Sequence, residues 1–321
     1  MKPKVSILIP IYKAQKYIEE CLCSVFRQTY SNIELILADD ASPDESINIA
    51  KEVTHRYGRE QSLTIIKNEK NKGIAYTRNI LLEHANGDYI YFVDSDDFIE
   101  PNTIETLVST AIRENADIVR CDYFKLSNGI STVVKRLTKG ENTNCLENSL
   151  DSSSSMQSLS FLFIKRELVN ENNLHFSKDI DCLEDYIFSI KLYYYADKIY
   201  DLSIPFYHYR LDNDESITHI KPFFHTNAIK AIGEIELFLT TKGLSEKYRR
   251  QINKLKFISK QAFLINKDIR NIHKYITTFP ESNSCYRDFN YHWKQKILFY
   301  LAERRYCYLL KLACKLSNLY E

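Results

Sequence analysis

The sequence predicts an α/β protein: a mostly parallel sheet flanked by helices, followed by a helical C-terminal extension. Three observations predict it. Short apolar runs alternate with helical patterns through residues 5–93, the signature of a parallel sheet covered on both faces. Several of those runs end in acidic or polar residues. Strand signals fade after Pro222, where helical periodicity dominates.

Val5 to Ile9 is an apolar run closed by Pro10, as a buried strand reads. Tyr17, Ile18, Cys21, Leu22, Val25 and Phe26 follow at helical spacing. Glu34 to Ala38 is a second strand, ending in Asp39 and Asp40. Ser42-Pro43-Asp44 reads as a helix start, since a serine can cap and proline tolerates the first helical position. Ile47 to Tyr57 continues that helix. Leu63 to Lys67 is a third strand, and Gly73 leads into a helix from Ala75 to His84. Asn86-Gly87 turns the chain into a fourth strand, Tyr89 to Val93. Ile104 to Glu114 is helical and Ile118 to Leu126 extended. Asn128-Gly129 marks a hairpin, because both residue types tolerate positive φ. Residues 140–155, with Asn and Ser clusters, read as a mobile loop. Phe161 to Ile164 is extended and Glu184 to Tyr195 helical. A domain boundary near residue 220 divides the chain into 1–219 and 220–321.

The 321 residues are 44% apolar and 26% charged, with a net charge of +1. So balanced a chain carries no broad electrostatic footprint for nucleic acid. No apolar stretch approaches the roughly 18 residues of a membrane-spanning helix. Met1 to Lys16, broken by Pro10 and without a small-residue cleavage site, reads as a strand and not as a signal peptide. Eight cysteines form no Cys-x-x-Cys pair; reduced, mostly buried thiols in the cytoplasm are expected.

In an open parallel sheet, ligands bind at the C-terminal edge. The strand ends therefore gather Tyr12, Asp39, Asp40, Asp94, Asp96 and Asp97 in one crevice. Asp94-Ser95-Asp96-Asp97 sets three carboxylates within four residues. Their mutual repulsion favours a divalent cation, and oxygen ligands favour Mg²⁺ or Mn²⁺ over Zn²⁺. Such a cation can bridge the phosphates of a nucleotide and stabilise a departing diphosphate. Taken alone, the same acids also read as a solvated turn capping the helix near Pro101.

Val5 to Tyr12, Asp39-Asp40-Ala41-Ser42-Pro43-Asp44, Asn71-Lys72-Gly73 with Arg78-Asn79, Gly87-Asp88 and Asp94 to Asp97 come in a telling order and spacing. The set resembles the family-2 glycosyltransferases of the GT-A fold, which is Rossmann-like. Lys165-Arg166-Glu167-Leu168, Asn173 to Phe176, Leu183 to Phe188, and Tyr207-His208-Tyr209-Arg210 with Ser216-Ile217-Thr218 look like the second half of that catalytic domain. The resemblance covers residues 1–219. It implies an inverting, metal-dependent transfer of a sugar from a nucleotide donor to a hydroxyl. The expected donor is a UDP-sugar. The expected acceptor is a glycan or lipid-linked saccharide in cell-surface polysaccharide synthesis.

Residue by residue, the resemblance implies that Pro10, Tyr12 and Asp40 hold the uridine base. Tyr12 can stack on a pyrimidine, and Asp40 can accept from the uracil N3–H. Arg78 matches a nucleotide-contacting arginine, and from sequence alone a surface salt bridge suits it equally. Asp94 matches a ribose or metal contact, Ser95 belongs to the same nucleotide-sugar-binding turn, and Asp96 matches the principal metal ligand. Asp97 is left to acceptor contact or helix capping. In Glu184-Asp185 the resemblance makes Asp185 the base that takes the acceptor proton, with Glu184 orienting the acceptor. A carboxylate raised by partial burial suits that task. The family form has glycine where Leu183 stands and asparagine where Lys13 stands. Arg210 and Ser216 are expected over the diphosphate, with His208 adding a hydrogen bond or a metal contact.

Residues 293–319 carry Lys294, Lys296, Arg304, Arg305, Lys311 and Lys315 with a single acid, Glu303, among many Leu, Tyr and Phe. A basic, aromatic-rich helix can lie on an anionic membrane surface. That suits a lipid-linked acceptor and a protein held peripherally on the inner face of the membrane. Packing on the catalytic domain or a homodimer interface is the alternative. Two other functions are the alternatives. A sugar-1-phosphate nucleotidyltransferase wants a glycine-rich basic loop after the first strand, and Pro10-Ile11-Tyr12-Lys13 is neither. A non-catalytic module binding nucleotide-sugar or glycan does not need every carboxylate that transfer requires, and all are present.

Overall fold

The computed structural model describes residues 2–135, 137–151, 158–213, 221–265, 269–306 and 308–310. The chain divides into two compact units, Met1–Leu146 with Met156–His219, and Glu147–Ser155 with Ile220–Glu321.

The first unit opens with β1 (Val5–Ile11), α1 (Ile18–Phe26), β2 (Ile33–Asp39), α2 (Ser46–Arg56), β3 (Leu63–Lys67), α3 (Ile74–His84) and β4 (Tyr89–Phe92). There follow β5 (Phe98–Ile99), α4 (Thr103–Glu114), β6 (Ile118–Ser127), β7 (Ile130–Val134), β8 (Gly140–Glu141) and α5 (Cys145–Leu150), which straddles the division between the units. Next come β9 (Leu162–Lys165), α6 (Arg166–Glu171), α7 (Glu184–Tyr195) and β10 (Ile199–Arg210). The sheet runs β3-β2-β1-β4-β9-β6-β10-β5, with β7 on β6 and β8 on β10. The β3-β2-β1-β4 run is parallel throughout, as is the β6–β10 pair. β9 is wedged antiparallel between β4 and β6.

Alternation along the strands makes two cores. Ile7, Ile9, Ile11, Leu35, Leu37 and Tyr91 pack on one face with Leu22 of α1, Val53 of α2 and Leu107 of α4. Leu8, Ile36, Ala38, Ile90 and Phe92 pack on the other with Leu81 of α3 and Phe188 of α7. Side chains point to opposite faces at every step, so a strand apolar throughout must be covered on both sides. Each such buried side chain contributes roughly 1.5–3 kcal/mol, against about 0–1 kcal/mol for a surface ion pair. The two apolar faces therefore set the fold. They also bring the C-terminal ends of β1, β2 and β4 to one edge.

Two local expectations change. The second helix starts at Ser46, with no side-chain cap on its first turn. Ser42 does not cap because its hydroxyl donates to Asp44 (2.6 Å) and accepts from the Lys13 N–H (2.8 Å). Within 140–155 the chain forms α5, because Cys145 and Leu150 are buried; 152–157 lie outside the described residues. The expected hairpin is present, with Asn128 and Gly129 at φ 50° and 72°.

The second unit consists of α8 (Lys221–Thr241), α9 (Arg249–Lys260), α10 (Ala262–Ile265), α11 (Ile269–Thr277), a 3₁₀ helix over Pro280–Asp288, and α12 (Trp293–Glu303). Phe257, Leu264, Tyr275, Ile276, Tyr286, Phe299 and Ala302 form its core. Among the described residues, no helix is long and apolar enough to cross a membrane.

Candidate active site

The base-binding candidates sit where β1 and β2 end. Pro10 lies within β1, and Tyr12 just beyond it is 44% exposed, as a stacking platform needs. Lys13 adopts φ 53°, the conformation for which the family's asparagine is suited, and its ammonium lies 5.5 Å from the Tyr12 ring. The amides of Lys13, Ala14 and Gln15 donate to Ser42, Ser46 and Asp44 at 2.8, 2.9 and 3.1 Å. This loop is thereby tied to the start of α2. Buried Asp40 accepts from Asn68 Nδ2 and the Lys72 amide at 2.8 Å, and from the Gly73 amide at 2.9 Å. Its carboxylate thus organises the loop that leads into α3.

Gly73 is held from a second side. Its φ is 89°, and a Cβ there would fall 2.3 Å from the Asp181 carboxylate. Asp181 in turn accepts from the Ala75 amide at 3.2 Å, in the first turn of α3. Burial raises the Asp181 pKa, the Ala75 N–H pulls it down, and the charge of Asp40 pushes it up again. Asp181 was not foreseen, and no local signal marks it, because the contact spans 106 residues.

The acidic turn after β4 is pinned by β10. The Tyr207 hydroxyl accepts from the Asp94 amide (3.0 Å) and donates to Asp97 (2.7 Å). Asp97 also accepts from the Arg210 amide at 2.7 Å and is 2% exposed. It is therefore a clamp on β10, neither an acceptor contact nor a helix cap. Asp94 accepts from Arg78 and from Ser160 Oγ, both at 3.0 Å. Half-buried Ser95 lies between. Asp96 accepts from Asn213 Nδ2 at 2.8 Å. Burial raises the Asp96 pKa, and the charge of Asp94 adds to the rise. Arg210 donates from Nε to the Asp96 carbonyl (2.9 Å), pairs with Glu20 (2.6 Å) and lies 4.9 Å from the Tyr17 ring. A cavity of about 150 Å³ opens beside them, lined by Lys13, Lys16, Tyr17, Asp44 and Asn213 among others.

The Glu184-Asp185 pair opens α7. Leu183 before it holds φ 67°, ψ 15°, so a leucine carries the left-handed conformation that glycine supplies in the family. Arg78 reaches this pair from α3. Its guanidinium donates to Glu184 and, at 3.0 Å, to Asp94. Arg78 is 5% exposed, so the surface salt bridge is excluded; the guanidinium is turned to these two carboxylates. Burial disfavours its charge, but Glu184, Asp94 and Asp185 outweigh that and raise its pKa. Burial likewise raises both carboxyl groups of the pair, while Arg78 holds them down. Asp185 also accepts from the Tyr186 amide at 2.8 Å.

His208 is held by partners on the other face of β10. Tyr207 faces Asp97, so the next residue along β10 faces away. Its imidazole stacks between Phe98 and Phe124, with centroids 4.2 and 4.4 Å away. Nε2 is bonded to Glu100 (2.7 Å) and Nδ1 to Ser131 (3.1 Å), so both nitrogens are occupied. Ser216 lies outside the described residues. Among the described residues no group of three His, Cys, Asp or Glu side chains is placed to hold an ion. The acidic turn itself offers Asp94 and Asp96. Two carboxylates fit a Mg²⁺ or Mn²⁺ ion that completes its shell with phosphate and water. Crowded, desolvated Asp96 is the group that such an ion would relieve.

The family model for glycosyl transferase family 2 matches residues 6–171. The chain is 32% identical over 262 residues to the uncharacterized glycosyltransferase EpsJ of Bacillus subtilis, covering 79% of this chain and 74% of that protein. It is 28% identical over 211 residues to the poly(ribitol-phosphate) beta-N-acetylglucosaminyltransferase TarS of Staphylococcus aureus, covering 64% of this chain and 35% of that protein. The structure of S. aureus TarS residues 1–349 in complex with UDP-GlcNAc superposes with a TM-score of 0.65 at 19% identity, covering 99% of this chain and 92% of that one. The mannosyltransferase PcManGT of Pyrobaculum calidifontis, in complex with GDP-Man and Mn²⁺, gives 0.53 at 16% identity, covering 99% and 88%. The likeness extends the GT-A fold to this chain.

Proposed function

The chain belongs to glycosyl transferase family 2, and from that premise we propose that it transfers a sugar, with inversion, from a UDP-sugar to a hydroxyl. The acceptor is a glycan or lipid-linked saccharide in cell-surface polysaccharide synthesis. Residues 1–219 form the catalytic domain and 220–321 a helical extension, with the protein on the cytoplasmic side of the membrane. The observation that carries the reading is the meeting of Glu184 and Asp94 on the Arg78 guanidinium. It joins a buried carboxylate pair to the acidic turn at the sheet's ligand edge. The UDP-GlcNAc complex of the S. aureus neighbour supports the donor class.

In this reading Tyr12 stacks on the uracil and the Asp40 carboxylate, fixed by the Asn68, Lys72 and Gly73 donors, accepts from its N3–H. Ser95 lies in the turn that faces the ribose and diphosphate. Arg210 and Ser216 approach the diphosphate. Asp94 and Asp96 would hold a Mg²⁺ or Mn²⁺ ion, which when bound offsets the charge of the leaving diphosphate. Asp185 takes the proton of the acceptor hydroxyl. The hydroxyl oxygen bonds to the anomeric carbon as the bond to the diphosphate oxygen breaks, and UDP leaves with that electron pair. Burial suits Asp185 to this task, because a carboxylate raised above its usual range is a stronger base. Glu184 orients the acceptor. Arg78 acts as a positioning residue, holding Glu184 and Asp94 in register.

The test is Asp185→Asn. Turnover of UDP-sugar falls by about 10²–10⁴, while calorimetric UDP binding is kept. Unchanged turnover with intact binding would remove Asp185 from the chemistry.

A further inference from the structure

The α12 helix buries one face and leaves the other bare. Phe299 and Ala302 enter the core of the second unit. Opposite them Trp293, Ile297 and Tyr300, spaced i, i+4 and i+7, are 61%, 45% and 43% exposed. Tyr306, Tyr308 and Leu309, beyond the helix end, are exposed as well. Lys294, Lys296, Arg304 and Arg305 are exposed alongside. The acid of this stretch, Glu303, is turned inward, where it pairs with Arg287 (2.6 Å) and accepts from the Tyr286 hydroxyl (3.4 Å). Lys294 lies 5.9 Å from the Trp293 ring and Arg304 5.8 Å from the Tyr300 ring. The bare face therefore presents large aromatic rings edged by cations, with its carboxylate spent elsewhere.

We infer that this face docks the C-terminal unit on an anionic lipid surface. Aromatic residues with polar tips settle at the membrane–water interface, and neighbouring Lys and Arg are drawn to negative head groups. With 11 residues, α12 is too short to span a bilayer and would lie in its plane. A second copy of the chain fits the face less well, since it would set the same cations against one another. The inference rests on the second unit alone and is independent of the donor and acceptor reading.

Trp293 is the single tryptophan of the chain, so its emission reports on this face directly. The full chain is mixed with vesicles of phosphatidylcholine alone, or with phosphatidylglycerol added. The expected result is a blue shift of Trp293 and co-sedimentation with the anionic vesicles, at least about tenfold tighter than with the neutral ones and weakened by salt. Lys294→Glu with Lys296→Glu, both on exposed side chains, abolishes the shift while the circular dichroism spectrum is unchanged. Unshifted emission with anionic vesicles overturns the inference, as does binding that survives the charge reversal. A concentration-dependent blue shift without lipid also overturns it, and assigns the face to a second copy.

Discussion

Replacing Gly73 with alanine tests how the edge proposed to bind the base is built. Two costs can be separated. At φ 89°, ψ 164° the backbone occupies a region reserved in practice for glycine, which costs about 1–3 kcal/mol for any other residue. The new Cβ would also lie 2.3 Å from Asp181 Oδ1. The carboxylate must swing away and give up the Ala75 N–H, a loss of about 0.5–2 kcal/mol by analogy with a helix cap. Together they amount to about 1.5–5 kcal/mol, a large part of the roughly 5–15 kcal/mol that holds a domain folded. Urea denaturation of Gly73→Ala, Asp181→Ala and the double variant measures both. Asp181→Ala alone loses only the cap. The double variant loses the cap once and keeps the backbone cost, so it is less destabilised than the sum of the singles. Calorimetry should also show weaker UDP binding in Gly73→Ala, because the Lys72 and Gly73 amides fix Asp40. A loss below about 0.5 kcal/mol, the level of an ordinary surface change, would refute the reasoning, as would strict additivity.

Tyr207→Phe leaves buried Asp97 short of one donor and should cost about 1–3 kcal/mol in denaturation, with reduced metal affinity because the Asp94 amide loses its acceptor. His208→Gln should lower stability through the lost Phe98 and Phe124 stacking, yet leave the Mn²⁺ dependence of UDP binding unchanged in calorimetry. The pH profile follows from Glu184 and Asp185, both raised above their ordinary range in the folded chain. Each acid contributes its full stability below its unfolded pKa of about 4 and loses it as pH rises through the folded value. Turnover should climb across that same window, as Asp185 ionises, while the denaturation midpoint falls. An acidic limb of kcat at the ordinary carboxylate position, near pH 4, would contradict this.

The parallel half of the fold was legible because its information is local: Val5–Ile11, Ile33–Asp39 and Tyr89–Phe92 are apolar runs with polar ends. The antiparallel wedge β9 was read as extended, but its place between β4 and β6 depends on pairing across the chain. The carboxylates of the site were legible as an ordered set. Their separate environments were not. Nothing in Asp94-Ser95-Asp96-Asp97 says that Asp97 turns inward to Tyr207 while Asp96 is left with Asn213. The same limit applies to His208, whose face on β10 follows from the register of Tyr207 and not from its neighbours in sequence. Arg78 read equally as a nucleotide contact or a surface salt bridge, because the acids that bury it come from the turn after β4 and from α7. Leu183 hid its left-handed backbone behind a side chain that rarely adopts one.

The most direct measurement is a calorimetric titration of UDP with Mn²⁺ and again with a chelator, on the wild-type chain and on Asp96→Asn. Binding that needs the metal and weakens in Asp96→Asn is predicted. Folded protein that binds no UDP in the presence of Mn²⁺ would contradict a UDP-sugar donor held at the acidic turn.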